Sequence, residues 1–72
     1  MKYEFFKAGL GKTEISDLEE SCERASIDLN VVDFITTEKG ITITYKDFSK
    51  DYDKHAWLSE FCFDADKGLI VK

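Results

Sequence analysis

The stretch VVDFITTEKGITITYKDF, residues 31–48, decides the fold. Two runs rich in β-branched and aromatic residues flank Glu38-Lys39-Gly40, and we expect Gly40 to supply the positive φ that a tight turn favours. Within residues 41–46, Ile and Tyr alternate with Thr and Lys, which buries one face of a strand and leaves the other in water. This pattern predicts an antiparallel β-hairpin.

Upstream of the hairpin, apolar residues recur at spacings of three and four, which is typical of one stripe of an amphipathic helix. The stripe consists of Ile15, Leu18, Cys22, Ala25 and Leu29. Ser16 and Glu19 fit a capping box at the start of this helix, and Thr13 is the alternative N-cap. Glu20 and Arg24 have the spacing of an i,i+4 ion pair.

The two ends of the chain are predicted to add strands. Residues 2–7, KYEFFK, are short and aromatic-rich, as strands often are. Residues 49–56 form a polar bridge, which we expect to hold one short helical turn capped by Ser49.

Residues 57–63 are compatible with two structures. As a helix they place Trp57, Leu58, Phe61 and Cys62 on one stripe, and as a strand they place Trp57, Phe61 and Phe63 on one face. The strand is preferred because Asp66-Lys67-Gly68 before Leu-Ile-Val resembles Glu38-Lys39-Gly40 before Ile-Thr-Ile, which predicts a second hairpin.

These elements predict an α+β fold in one small domain, residues 1–72. The expected order is β-α-β-β-turn or short helix-β-β, giving a mostly antiparallel sheet of four to five strands with one amphipathic helix packed on one face. One helix covers only one sheet face, yet several strands carry apolar residues on both. The second face is therefore expected either to form an interface or to be buried by a curled sheet and residues 49–57.

Gly11-Lys12-Thr13 matches the end of a phosphate-binding P-loop, but Phe6 stands where the first glycine of that motif is required. The glycines are better explained as a turn before the helix. The 72 residues also leave little room for the parallel sheet and second acidic strand end of a nucleotide-hydrolysing domain. We therefore expect no nucleotide cofactor.

Neither metals nor catalysis are indicated. Residues 64–68, DADKG, start like a calcium loop, but Gly68 stands at the fifth position, where an acidic ligand is required. Cys22, Cys62 and His55 lack the paired spacing of zinc ligands. With one histidine and no evident nucleophile–base pair, the sequence predicts a non-catalytic protein without metal or cofactor.

The two cysteines lie outside any CxxC motif, and no segment has the apolar length of a signal peptide or membrane span. A cytoplasmic protein is the expectation.

Negative charge is concentrated in one part of the chain. The net charge is −5, and residues 13–38 contain eight acidic residues and a single basic one, Arg24. Such a distribution favours a basic protein surface as partner and counts against direct nucleic-acid binding. The expected partner-binding residues are acidic ones on the helix and aromatic ones elsewhere: Asp17, Glu19, Glu20, Glu23, Phe6, Trp57 and Phe61.

The favoured hypothesis is a small acidic regulator or inhibitor, of a kind carried by phages or other mobile elements, that occupies a basic surface of another protein. One alternative is a sheet that binds single-stranded nucleic acid through stacking aromatics and lysines. The residues involved would be Tyr3, Phe5, Tyr45, Phe61, Lys2, Lys7, Lys12 and Lys46. A structural homodimer joined through the uncovered sheet face is the other alternative.

Overall fold

A computed structural model describes residues 1–70 of the chain. Its centre is a three-stranded antiparallel sheet of β1 (Asp33–Thr36), β2 (Gly40–Tyr45) and β3 (Phe48–Asp53), with β2 in the middle. Phe34 pairs with Ile43 across β1 and β2, which confirms the predicted hairpin.

Three helices accompany the sheet: α1 (Tyr3–Phe6), α2 (Lys12–Arg24) and α3 (Trp57–Lys67). Short 3₁₀ turns follow α1 at Lys7–Gly9 and precede β1 at Leu29–Val31. The α+β class is confirmed. The predicted four to five strands and single helix are wrong, since the described residues form three strands and three α-helices.

The first predicted strand is a helical turn. Lys2 makes one isolated antiparallel bridge with Asp33, and residues 3–6 then form one turn of α-helix. This helical turn places Tyr3 and Phe6, three residues apart, on the same side. Both rings contact Phe34, at centroid distances of 6.0 Å and 4.4 Å respectively, and Phe5 is left facing solvent. Aromatic packing thus decides the structure of a segment whose local pattern favours a strand.

The predicted polar bridge contains a strand, β3, in spite of its composition. On its solvent face, Thr42 Oγ1 donates to Asp51 Oδ1 at 2.7 Å, and the hydroxyls of Thr44 and Ser49 lie 3.1 Å apart. On the inner face Tyr52 is buried. Cross-strand hydrogen bonds and one large inward ring therefore compensate for the weak strand propensity of Ser, Lys and Asp.

The predicted second hairpin is also wrong, because residues 57–67 form α3. Gly68 ends this helix with φ 71°, and the N–H groups of Gly68 and Leu69 donate to the carbonyls of Ala65 and Asp64 at 3.0 and 2.8 Å. This pair of bonds is a Schellman motif, in which a left-handed glycine stops a helix. Gly68 is thus a helix end rather than a hairpin turn. Residues 69–70 lie in a turn, and Val71 is outside the described residues.

Helix α2 begins four residues before the predicted cap at Ser16, and one before Thr13. Gly11 is its N-cap, and Glu14 Oε1 accepts the backbone N–H of Gly11 at 2.8 Å. The helix ends at Arg24, so Leu29 belongs to the following 3₁₀ turn although it is buried as expected. The apolar stripe predicted the helix correctly but not its ends.

The core lies between the inner sheet face and the helices. Its largest fully buried side chains are Phe34, Phe61, Leu18, Ile43, Ile70, Val32 and Cys22. The outer sheet face carries Thr42, Thr44, Ser49 and Asp51, and Ile35 is its exposed apolar residue. Of the apolar residues that suggested an interface on a second sheet face, Phe61 and Ile70 are buried in the core, whereas Phe5, Phe63 and Leu69 are exposed.

The helical structure of α3 can be tested directly. A strand would place Phe61 and Phe63 on one face, whereas the helix buries Phe61 completely and leaves Phe63 54% exposed. We expect Phe61→Ala to lower the free energy of unfolding by about 3–5 kcal/mol. Phe63→Ala, the matched control, is expected to cost less than about 0.5 kcal/mol. Equal losses in urea titrations would contradict the helix.

Gly40 is required for a reason that differs from the sequence-based one. Gly68 is the glycine with positive φ among residues 1–70, so Gly40 does not supply such a φ. A Cβ on Gly40 would instead lie 1.9 Å from the carbonyl oxygen of Tyr52 and 2.8 Å from the nitrogen of Lys54. Both are backbone atoms, one in β3 and one directly after it, so they cannot rotate away as a side chain could.

We therefore expect Gly40→Ala to separate the end of β2 from β3 and to lower the free energy of unfolding by roughly 2 kcal/mol or more. Gly9→Ala is the control, because its Cβ would have no neighbour within 4 Å. Thermal unfolding of the two variants makes the comparison, and a Gly40→Ala variant as stable as the parent would exclude the close contact.

Candidate binding surfaces

The acidic residues predicted on α2 lie on its solvent side. Leu18 and Cys22 direct the opposite side of the helix into the core. The carboxylates of Asp17, Glu19, Glu20 and Glu23 are all on exposed residues. We call these four residues the acidic face of α2.

Arg24 neutralises only part of this face. Its guanidinium lies 3.5 Å from Glu20 Oε1, as the i,i+4 spacing predicts, and 3.2 Å from Asp66 Oδ1 on α3. One cation thus bridges two carboxylates from two helices. The Asp17 and Glu23 side chains form no ion pair in the described part of the chain.

Glu19 is partly engaged inside the protein. The Tyr3 hydroxyl donates to Glu19 Oε2 at 2.9 Å, which attaches α1 to α2. Burial and the adjacent Glu19 carboxylate raise the pKa of Tyr3 well above the usual value for tyrosine, so the phenol remains a donor. Glu19 therefore fixes the position of α1 as well as contributing charge.

The three aromatic residues predicted to bind a partner have different environments. Phe61 is completely buried, so its ring belongs to the core and is not available at the surface. Phe6 and Trp57 are half-buried neighbours, with ring centroids 5.5 Å apart in an edge-to-face arrangement. Of the three predicted aromatic residues, Phe6 and Trp57 are therefore the two that contribute surface.

A buried carboxylate on α3 was not predicted from the sequence. Asp64 is 5% exposed, and its Oδ2 accepts hydrogen bonds from the Lys50 ammonium and, at 3.0 Å, from the Tyr52 hydroxyl. Lys50 and Tyr52 both lie on the inner side of β3, so the contact joins β3 to α3. Asp64 lies three residues after Phe61. That spacing places two side chains on the same face of a helix but on opposite faces of a strand, so the sequence predicts the position of Asp64 only if the segment is helical.

The surroundings of both cysteines favour the neutral thiol. Burial raises the pKa of Cys22 to about 12, and burial also raises the pKa of Cys62. His55 is exposed in the turn before α3, where its backbone N–H donates to Asp53 Oδ1 at 2.8 Å. In residues 1–70 no group of three His, Cys, Asp or Glu side chains is placed to hold a metal ion.

These features define a small α+β protein in which an acidic helix and an aromatic pair border a three-stranded antiparallel sheet. Within the described chain, no helix combines the length and apolar character needed to cross a membrane. No protein-family model, curated protein or solved structure matches the chain.

The Tyr52–Asp64 hydrogen bond gives stability a specific dependence on pH. Burial, followed by the hydrogen bond to Asp64, raises the pKa of Tyr52 above its usual value of 10.0. A raised folded-state pKa means that the neutral phenol stabilises the native state below pH 10, and that this contribution is lost as the pH rises towards the folded-state pKa.

We expect Tyr52→Phe to lower the free energy of unfolding by about 1–2 kcal/mol at neutral pH, since one buried hydrogen bond is lost. The difference from the parent should shrink above about pH 10. Tyr45→Phe serves as control at neutral pH, because Tyr45 is a buried residue like Tyr52 but its hydroxyl makes no side-chain hydrogen bond in residues 1–70. A pH-independent difference in urea titrations would contradict this assignment.

Proposed function

We propose that this protein is a non-catalytic regulator or inhibitor that binds another protein, and that the acidic face of α2 occupies a basic surface of that partner. The observation that carries the proposal is the exposure of Asp17, Glu19, Glu20 and Glu23 on one helix whose neighbouring cation, Arg24, is already shared between Glu20 and Asp66.

The electrostatics support such a role. Carboxylates aligned on a rigid helix produce a negative field that accelerates encounter with a basic surface and disfavours acidic partners. The helix is held by its packing on α3 and by the Tyr3–Glu19 hydrogen bond, so the charges are presented in a fixed arrangement. Pre-organisation reduces the entropic cost of association.

The half-buried pair of Phe6 and Trp57 supplies the apolar part of the proposed contact. Phe6 lies three residues after Tyr3, whose hydroxyl reaches Glu19, so α1 connects the aromatic pair to the acidic face. Partly exposed aromatic rings next to charged residues are frequent anchors in protein interfaces.

The alternatives are less well supported. Tyr3, Tyr45 and Phe61, three of the four rings considered for base stacking, are buried. The outer sheet face considered for a homodimer is mostly hydroxyl and carboxylate groups, with Ile35 exposed among them. Neither surface has the apolar character that its proposed role requires.

The proposal is tested by reversing charge on the helix. Glu20→Lys with Glu23→Lys changes the acidic face by four charge units, and Glu19 is retained because it accepts the Tyr3 hydroxyl. Proteins captured from native host extract by the immobilised parent are identified by mass spectrometry and then titrated with each purified variant. We expect affinity to fall at least about tenfold and its salt dependence to weaken.

The matched control is Glu38→Lys with Asp47→Lys, two exposed acidic residues in the hairpin turns, which changes net charge equally. Thermal unfolding establishes that both variants fold. If the two double variants bound a captured protein equally well, or if salt dependence were unchanged, the acidic face would not be the binding surface.

A further inference from the structure

The strand β3 is an open edge of the sheet. The sheet order is β1-β2-β3, so β1 and β3 each have one side without a neighbouring strand. Along β1 that side is partly covered, because Lys2 bridges to Asp33 and the Phe34 N–H donates to the Met1 carbonyl at 2.9 Å. No such cover lies along β3 in residues 1–70.

The ladder identifies which backbone groups of β3 face outwards. The residues that flank the hairpin turn, Tyr45 and Phe48, form a hydrogen-bonded pair. Along antiparallel strands, such pairs alternate with pairs whose N–H and C=O groups point away from the partner strand. Lys50 and Tyr52 therefore bond to β2, as Phe48 does, whereas the N–H and C=O groups of Ser49 and Asp51 point away from it. No other backbone group in the described chain pairs with those of Ser49 and Asp51.

A groove runs beside this edge, between β3 and α3. It has a volume of about 580 Å³, and its lining residues are Lys50, Asp51, Ser59, Glu60, Phe63 and Asp64. Phe63 is 54% exposed, and the Lys67 ammonium lies 3.9 Å from its ring centroid. The groove therefore has a hydrogen-bonding wall on the strand and an aromatic wall on the helix that already attracts a cation.

The charge of the groove indicates the chemistry of its occupant. Lys50 is paired with Asp64, so these two charges compensate each other. Glu60 on α3 and Asp51 on the solvent face of β3, where its Oδ1 accepts the Thr42 hydroxyl, are exposed carboxylates that form no ion pair in the described residues. They flank the open edge from its two sides. An extended segment with Lys or Arg side chains is complementary to that arrangement.

A second copy of this chain fits less well. Its own edge strand, FSKDYD, has a net negative charge, and each whole chain carries −5. Lys50 also directs a charge inwards from β3, a feature that discourages edge-to-edge pairing of identical strands.

We propose that the groove between β3 and α3 binds an extended, basic segment of a partner protein by strand addition. The segment pairs with the outward N–H and C=O groups of Ser49 and Asp51, directs cationic side chains to Asp51 and Glu60, and packs against Phe63. This surface is separate from the acidic face of α2, and the inference does not depend on the function proposed for that face.

The test uses a phage-displayed library of short random peptides, selected on the folded protein at low and at moderate salt. We expect selected peptides to alternate Lys or Arg with β-branched or aromatic residues. Their addition should slow amide hydrogen exchange at Ser49 and Asp51, because those N–H groups acquire partners.

Asp51→Pro removes an outward N–H but leaves the bonds between β3 and β2 intact, since proline is tolerated on that side of an edge strand. Asp51→Ala is the matched control, because it loses the same carboxylate and keeps the N–H. We expect peptide affinity to be roughly tenfold weaker with proline than with alanine. Equal affinities for the two variants would overturn strand addition.

Phe63→Ser and Glu60→Lys, both at exposed positions, keep the proposal testable if the proline variant does not fold. Each should weaken peptide binding, and neither should affect the partner titrations that depend on Glu20 and Glu23. The inference would be wrong if no peptide were selected or if exchange changed only along α2. It would also be wrong if sedimentation showed the parent as a dimer and Asp51→Pro as a monomer.

Discussion

The fold depends on the contacts of one side chain, the Phe34 ring. Phe34 is completely buried on β1, with the Phe6 ring stacked on it at 4.4 Å, and with Tyr3 and Phe61 at 6.0 and 6.4 Å. It therefore joins the first helical turn and the last helix to the sheet. In a 72-residue chain with little core volume, a few large rings in mutual contact bury much of the apolar area that stability requires.

That dependence explains which elements the sequence predicted. The hairpin follows from strict alternation of Ile and Thr in β2, and α2 follows from a long apolar stripe, so both are determined locally. Residues 2–7 and 57–63 are short aromatic runs that fit either period. Their structure is decided by rings distant in sequence, Phe34 above all, and no local pattern contains that information. The N-cap at Gly11 was missed because Gly11 has no capping hydroxyl, and its own N–H donates to the Glu14 carboxylate.

The candidate surfaces also differ in whether local sequence or distant contacts determine them. Charge counting along residues 13–38 was sufficient to predict the acidic face of α2, because helix period alone sends Glu20 and Glu23 away from Leu18 and Cys22. Assigning Phe61 to a surface depended on the wrong structure for residues 57–63. The groove beside β3 required both β3 and α3; β3 was not predicted, and a helix over residues 57–63 was the alternative that was not preferred.

The contact between the half-exposed Lys50 ammonium and the buried Asp64 carboxylate has a consequence for misfolded states. A shift of β3 by one residue would turn Lys50 to the opposite sheet face and leave the Asp64 carboxylate in the core without its ammonium. An uncompensated buried charge costs about 3–5 kcal/mol, whereas an ion pair with its partner in place contributes little net stability. The pair therefore widens the energy gap between the native state and its mispaired competitors, which is how a polar, low-propensity strand such as β3 retains a unique alignment.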